Sequence, residues 1–150
     1  MNHALRDVVE VRRVLNATAA GTSDITSATV VDMQGYDGVM FLAGFGTLTT
    51  SHVTSLKAQQ SDNSGGSPDD FSDIAGSSQV IGESDSNKSL MLDIVRPSKR
   101  YVKAYIDRGT ANAVVDGIWA FLYKARELPV TQGSTIAASK TLVTPLEGTA

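Results

Sequence analysis

The sequence predicts an all-β fold, a β-sandwich or jelly roll of about seven to nine strands with an extended C-terminal arm. Three observations point there. Apolar stretches of five to eleven residues recur between clusters of Gly, Ser, Asn, Asp and Pro, and they alternate or run continuously instead of following helical spacing. Charged residues are only 19% of the chain, against 41% hydrophobic, which is neither a disordered nor a helical-bundle composition. The 150 residues are enough for one core burying roughly 70% of the unfolded surface.

In chain order, residues 1–23 are an N-terminal segment in which Asp7 to Leu15, with Val8, Val9, Val11 and Val14, reads as a strand in preference to a short helix. The small polar run Asn16 to Ser23 ends it. The core spans 24–128. Ile25 to Met33 is Thr- and Val-rich, Gly35-Tyr36-Asp37-Gly38 supplies a turn, and Val39 to Phe45 has the unbroken apolarity of a fully buried strand. His52 to Gln60 alternates, and the Ser-, Gly- and Asp-rich run 61–70 is a loop. Leu90, Leu92 and Ile94 alternate with Met91, Asp93 and Val95 until Arg96-Pro97 ends the strand, because proline cannot donate to a ladder. Tyr101 to Asp107 sets Val102, Ala104 and Ile106 on one face and Tyr101, Lys103 and Tyr105 on the other. Val114 to Ala125 is a long last strand with a bulge expected at Asp116-Gly117. Residues 129–150 carry lone apolar side chains at Val130, Ile136, Leu142, Val143 and Leu146, too sparse for a core of their own, and read as an arm that becomes ordered against a neighbour.

Composition narrows function by exclusion. The formal charge of −3 gives no whole-protein positive field, so nucleic acid is not an expected partner. No cysteine is present, which removes disulfides, thiolate nucleophiles and thiolate metal sites, and two histidines, His3 and His52, cannot build a multi-histidine centre. The first residues lack a secretory apolar stretch and Val39 to Leu56 is too polar to span a bilayer, so a cytosolic origin without membrane contact is expected. Gly44-Phe45-Gly46 lacks the third glycine and the helix of a phosphate-binding turn. Asp62, Asn63, Asp69, Asp70, Asp73, Glu83 and Asp85 offer oxygen ligands but match no calcium-loop spacing. His52 has no nucleophile elbow to serve. No enzyme and no cofactor is expected.

Charge segregation is more informative. Ala58 to Val95 holds seven acidic residues and one basic, whereas Arg96 to Arg126 holds seven basic and two acidic. Arg96, Lys99, Arg100 and Lys103 are therefore candidate contacts for an acidic partner, the competing reading being internal pairing between neighbouring strands and loops.

Four runs carry a resemblance: Asp24-Ile25-Thr26-Ser27-Ala28-Thr29-Val30, Met33-Gln34-Gly35-Tyr36-Asp37-Gly38-Val39, Arg96-Pro97-Ser98-Lys99-Arg100-Tyr101-Val102 and Asp107-Arg108-Gly109-Thr110-Ala111-Asn112-Ala113-Val114. They resemble the capsid decoration, or cement, proteins encoded among the head genes of tailed bacteriophages. The resemblance implies a homotrimer on the outer surface of the virion, made in the host bacterial cytoplasm, that bridges neighbouring copies of the major capsid protein. It transfers no residue role. A head–tail joining or tail-tube component and a carbohydrate-binding sandwich are the alternatives.

Overall fold

The computed structural model describes residues 4–65, 71–143 and 146–149. One helical turn, α1 (Leu5–Val8), precedes ten strands: β1 (Glu10–Leu15), β2 (Thr18–Gly21), β3 (Val31–Asp32), β4 (Gly38–Leu48), β5 (Val53–Ser61), β6 (Ser72–Asp73), β7 (Gln79–Ile81), β8 (Ser89–Val95), β9 (Tyr101–Gly109) and β10 (Ala113–Tyr123). They form two antiparallel sheets, a β-sandwich. One sheet runs β1-β10-β4-β8 with β2 continuing along the β1 side of β10, and the other runs β3-β9-β5-β6 with β7 beside β6 on β5.

When β1 and β2 count as one interrupted strand, and β6 and β7 as another, eight strand positions remain, ordered 1-8-3-6 and 2-7-4-5. First pairs with last, second with seventh, third with sixth and fourth with fifth, as in one long hairpin folded over on itself. The core lies between the sheets, where Phe41, Phe45, Leu56, Ile106, Ile118 and Leu122 are wholly buried, each worth roughly 1.5–3 kcal/mol against exposure.

The strand readings hold for β4, β5, β8, β9 and β10, and the bulge at Asp116-Gly117 is present as a register shift with Gly117 at φ 146. Three elements differ. The segment 7–15 splits into the end of α1 and then β1. The polar run 16–23 contains β2, held on β10 by Arg108, whose Nε donates to the Ser23 carbonyl and whose Nη1 donates to those of Ala19 and Ala113. Ile25 to Met33 is not a continuous strand: Ile25 bridges Ile106 and only Val31–Asp32 pair with β9. Its buried residues are Ile25, Ala28, Val31 and Met33; the first three are three apart, a spacing that a two-residue pleat cannot present to one core, and only Val31 and Met33 keep the strand period.

Two of the quoted runs are joined by one latch. The Asp24 carboxylate accepts from the Arg108 backbone N–H at 2.9 Å and from the Tyr105 hydroxyl at 3.0 Å, which holds it below the usual carboxylate range.

Candidate functional site

The basic run begins where β8 ends. Arg96 takes φ 52, which no strand residue adopts, and its N–H donates to the Asp37 carbonyl at 2.7 Å. The chain then folds residues 96–100 around a shallow concavity shared with Met33, Gln34, Tyr36, Asp37 and Arg126. Arg100 forks onto Asp32, Nε to Oδ1 at 2.8 Å and Nη2 to Oδ2 at 2.7 Å, and that hydrogen bonding lowers the Asp32 pKa. Lys99 lies 3.4 Å from Asp62 and Arg126 lies 3.7 Å from Asp37. Internal pairing thus takes up Lys99, Arg100 and Arg126 with aspartates. These are exposed pairs, worth about 0–1 kcal/mol each, and a competing carboxylate can exchange into them. Among the described residues, Arg96 brings the positive charge to this concavity that its aspartates do not match.

Lys103 corrects the expectation. It shares a face with Tyr101 and Tyr105, as the alternation predicts, but it is 8% exposed and its Nζ lies 4.4 Å from the centre of the Phe71 ring. Phe71, just before β6, lies against it, so Lys103 is not part of the open basic surface. Arg126 takes its place. Thirty residues of chain separate it from Arg96, and only the pairing of β10 with β4 brings the two together.

The apolar half of the candidate set divides at residue 136. Val130 is 9% exposed, and its N–H donates to the Asp7 carbonyl at 2.9 Å. Gln132 lies along the free edge of β1: its Oε1 accepts from the Val11 N–H, and its Nε2 donates to the carbonyls of Arg6 and Val9. The Thr135 hydroxyl accepts from the Arg13 N–H at 3.1 Å. Ile136 enters an apolar cleft with Leu5, Val9, Val11 and Phe121. Residues 129–136 therefore belong to their own domain, and Val130 and Ile136 are spent there. A count of apolar residues overlooks this because two polar side chains, Gln132 and Thr135, make the attachment. Leu142, Val143 and Leu146 are 62%, 92% and 98% exposed.

The outer face of the β1-β10-β4-β8 sheet is also apolar. Trp119 on β10 stands opposite Leu42 on β4, which stands opposite Met91 on β8, and Phe121 stands opposite Met40. Arg13 stacks over Trp119 at 5.2 Å. Tyr123 lies across β4 above Gly38, where a Cβ would fall 2.2 Å from its ring, and its hydroxyl donates to Asp93 at 2.6 Å. Burial and that bond push the Tyr123 phenol up to about 12. At the β8 edge, Met91 and Val95 are more than half exposed.

The other candidates resolve into structure. His52 is buried; its Nε2 faces the Gly82 carbonyl at 3.3 Å and its Nδ1 faces the Thr54 hydroxyl at 3.1 Å. A carbonyl only accepts, so Nε2 is the donor in that contact. Gly44 and Gly46 lie within β4. Asp69 and Asp70 fall outside the described residues, and Asp73 and Asp85 pair with Lys57 and Lys88. Among the described residues no group of three or more His, Cys, Asp or Glu could hold a metal ion, and no helix is long and apolar enough to cross a membrane. No protein-family model matches the chain, and no curated protein is found to be similar to it.

Proposed function

We propose that this protein is a structural component of a virus particle, assembling as a homotrimer on the outer capsid of a tailed bacteriophage and bridging neighbouring major capsid subunits. The observation that carries the reading is the set of apolar side chains left in water on a well-packed sandwich: Met91 and Val95 on one sheet edge, Leu142, Val143 and Leu146 on the C-terminal segment. Exposed apolar side chains of this kind are suited to contacts with other chains. The two-sheet antiparallel sandwich is compatible with the same reading, since viral shell domains are among the proteins built that way. The basic concavity beside β8 adds a place for an acidic surface.

Cryo-microscopy of the particle tests this. Trimeric density on the outer shell, spanning capsid subunits, is the expected result. Density in the tail tube or at the head–tail junction would move the chain to the joining class, whose members close into rings instead.

A further inference from the structure

We propose that two copies of this chain join through their β8 edges, antiparallel about a two-fold axis that passes between their Met91 residues, so that the β1-β10-β4-β8 sheet continues from one copy into the next. The inference goes beyond the reading above and concerns self-association alone. On that reading the contact links one trimer to the next across a two-fold position of the shell.

Its starting point is how the sheet edges differ. The β1 edge is closed by Gln132 and Thr135, which accept from the N–H groups of Val11 and Arg13. The edges of the second sheet are strands of two or three residues, β3, β6 and β7. Covered or short edges are how proteins avoid adding a foreign strand. The β8 edge follows neither course: it is seven residues long, and among the described residues no strand pairs along its outer side. Ser89–Val95 contains no Lys, Arg or Pro, and its one carboxylate, Asp93, accepts from the Tyr123 hydroxyl.

The backbone on that side is oriented to pair. Arg96 N–H donates to the Asp37 carbonyl and Phe45 N–H to the Lys88 carbonyl, and the register between them is unbroken, so even-numbered residues bond β4. By alternation the N–H and C=O groups of Ser89, Met91, Asp93 and Val95 point outward. Their side chains lie on the outer face, where Met91 and Val95 are exposed, while Leu92 and Ile94 enter the core.

The strand complements itself best in one register. Pairing through odd-numbered residues with five or more of them matched leaves three centres: Met91, Leu92 and Asp93. Centring on Asp93 sets two carboxylates directly opposite, which is destabilising. Centring on Leu92 matches all seven residues but sets Met91 against Asp93 and Val95 against Ser89, apolar against polar each time. Its extra pairs fall at the strand end, where Arg96 turns away at φ 52. Centring on Met91 sets thioether against thioether, and the Ser89 hydroxyl of each copy against the other's Asp93, whose Oδ2 is left open by Tyr123. Leu90 of one copy then meets Leu92 of the other on the inner side. The two Asp93 carboxylates stand about 14 Å apart along the strands, beyond the roughly 8 Å reach of charge in physiological salt. Ser89, Met91 and Asp93 of both copies exchange about six N–H···O bonds.

The chain has no cysteine, so single thiols report the contact. Facing Cα atoms in such a pair are about 5.5 Å apart, within disulfide range, whereas two Val95 positions would be about 27 Å apart. Oxidised full-length Met91→Cys is expected to give a linked dimer at least tenfold above Val95→Cys; no excess over that control overturns the inference. Ser89→Cys mixed with Asp93→Cys should also link. Met91→Cys that links to Asp93→Cys in preference to itself would put the axis at Leu92 and overturn the register proposed. A Met91→Cys/Leu142→Cys double variant that closes only within one chain would assign the edge to the chain's own tail and overturn the inference as well. Met91→Lys, at an exposed position, sets like charges at the axis, and the native mass of the full-length chain should halve; an unchanged mass counts against the contact. Binding to phage heads is scored separately. Heads bound without a Met91 link would overturn this inference and leave the capsid reading standing, and the link without head binding would do the reverse.

Discussion

Glu10 gives the sharpest test of the energetics at the arm-bearing edge. It is 5% exposed on the inner side of β1, and its carboxylate accepts from Arg12 Nε at 2.5 Å, from Arg12 Nη2 at 3.1 Å and from the Tyr36 hydroxyl. Burial alone raises its pKa and is the largest single influence, yet Arg12 and Tyr36 together outweigh it and leave the carboxyl below its usual value. Its contribution to stability is therefore complete above about pH 5 and is lost as pH falls through the folded value. In Arg12→Ala only Tyr36 still opposes burial, and its influence is the smaller. The pKa then rises above the unfolded value, and the contribution is lost as pH rises through it. Removing one partner of a buried pair costs about 3–5 kcal/mol. With the Arg12 side chain 32% exposed and Tyr36 still in place, about 2 kcal/mol is expected at pH 7, or about 6 °C in Tm for a domain of this size. At pH 4 the loss should fall below about 1 kcal/mol. Thermal unfolding followed by circular dichroism at both pH values reads this directly, and adding Glu10→Gln should flatten the difference. Equal losses at pH 4 and pH 7 would refute the assignment of the buried charge.

Three further outcomes follow from the same geometry. Gly38→Ala puts a methyl 2.2 Å from the Tyr123 ring, so the ring must leave Asp93 at a cost of about 1–3 kcal/mol. Ultraviolet titration should then show one tyrosine near 12 where the wild type has two, Tyr36 and Tyr123, and two late titrations in the variant would contradict the packing. Gln132→Ala strands the Val11 N–H, costing roughly 1–3 kcal/mol; hydrogen exchange at Val11 should accelerate, and unchanged protection would show that another group covers that edge. Lys99→Glu/Arg100→Glu should weaken attachment to heads, and wild-type attachment should itself weaken as salt rises above about 0.15 M, where the Debye length drops below roughly 8 Å. Attachment insensitive to both would assign these charges to internal pairs alone.

The long strands were legible because each carries its own evidence. Val39 to Phe45 is continuous apolar chain in the centre of a sheet, and Leu90 to Val95 alternates beside it. The short ones were not: β2 is Thr18-Ala19-Ala20-Gly21, with no strand pattern, and Arg108, nearly ninety residues on, ties its Ala19 carbonyl to the Ala113 carbonyl of β10. At the candidate site, Arg96, Lys99 and Arg100 were visible as a run, but Arg126 joins them through strand pairing, and Lys103 is removed by Phe71, whose position no local pattern encodes. The arm shows the same limit. Gln132 and Thr135 look like loop residues until the unpaired N–H groups of Val11 and Arg13 are placed beside them.

The most direct measurement of the central claim is sedimentation of the purified full-length chain with intact phage heads at increasing protein concentration. The account predicts saturable co-sedimentation, with cross-linking resolving bound trimers. Protein that remains in the supernatant at every concentration, with heads that are otherwise competent to bind, would contradict it.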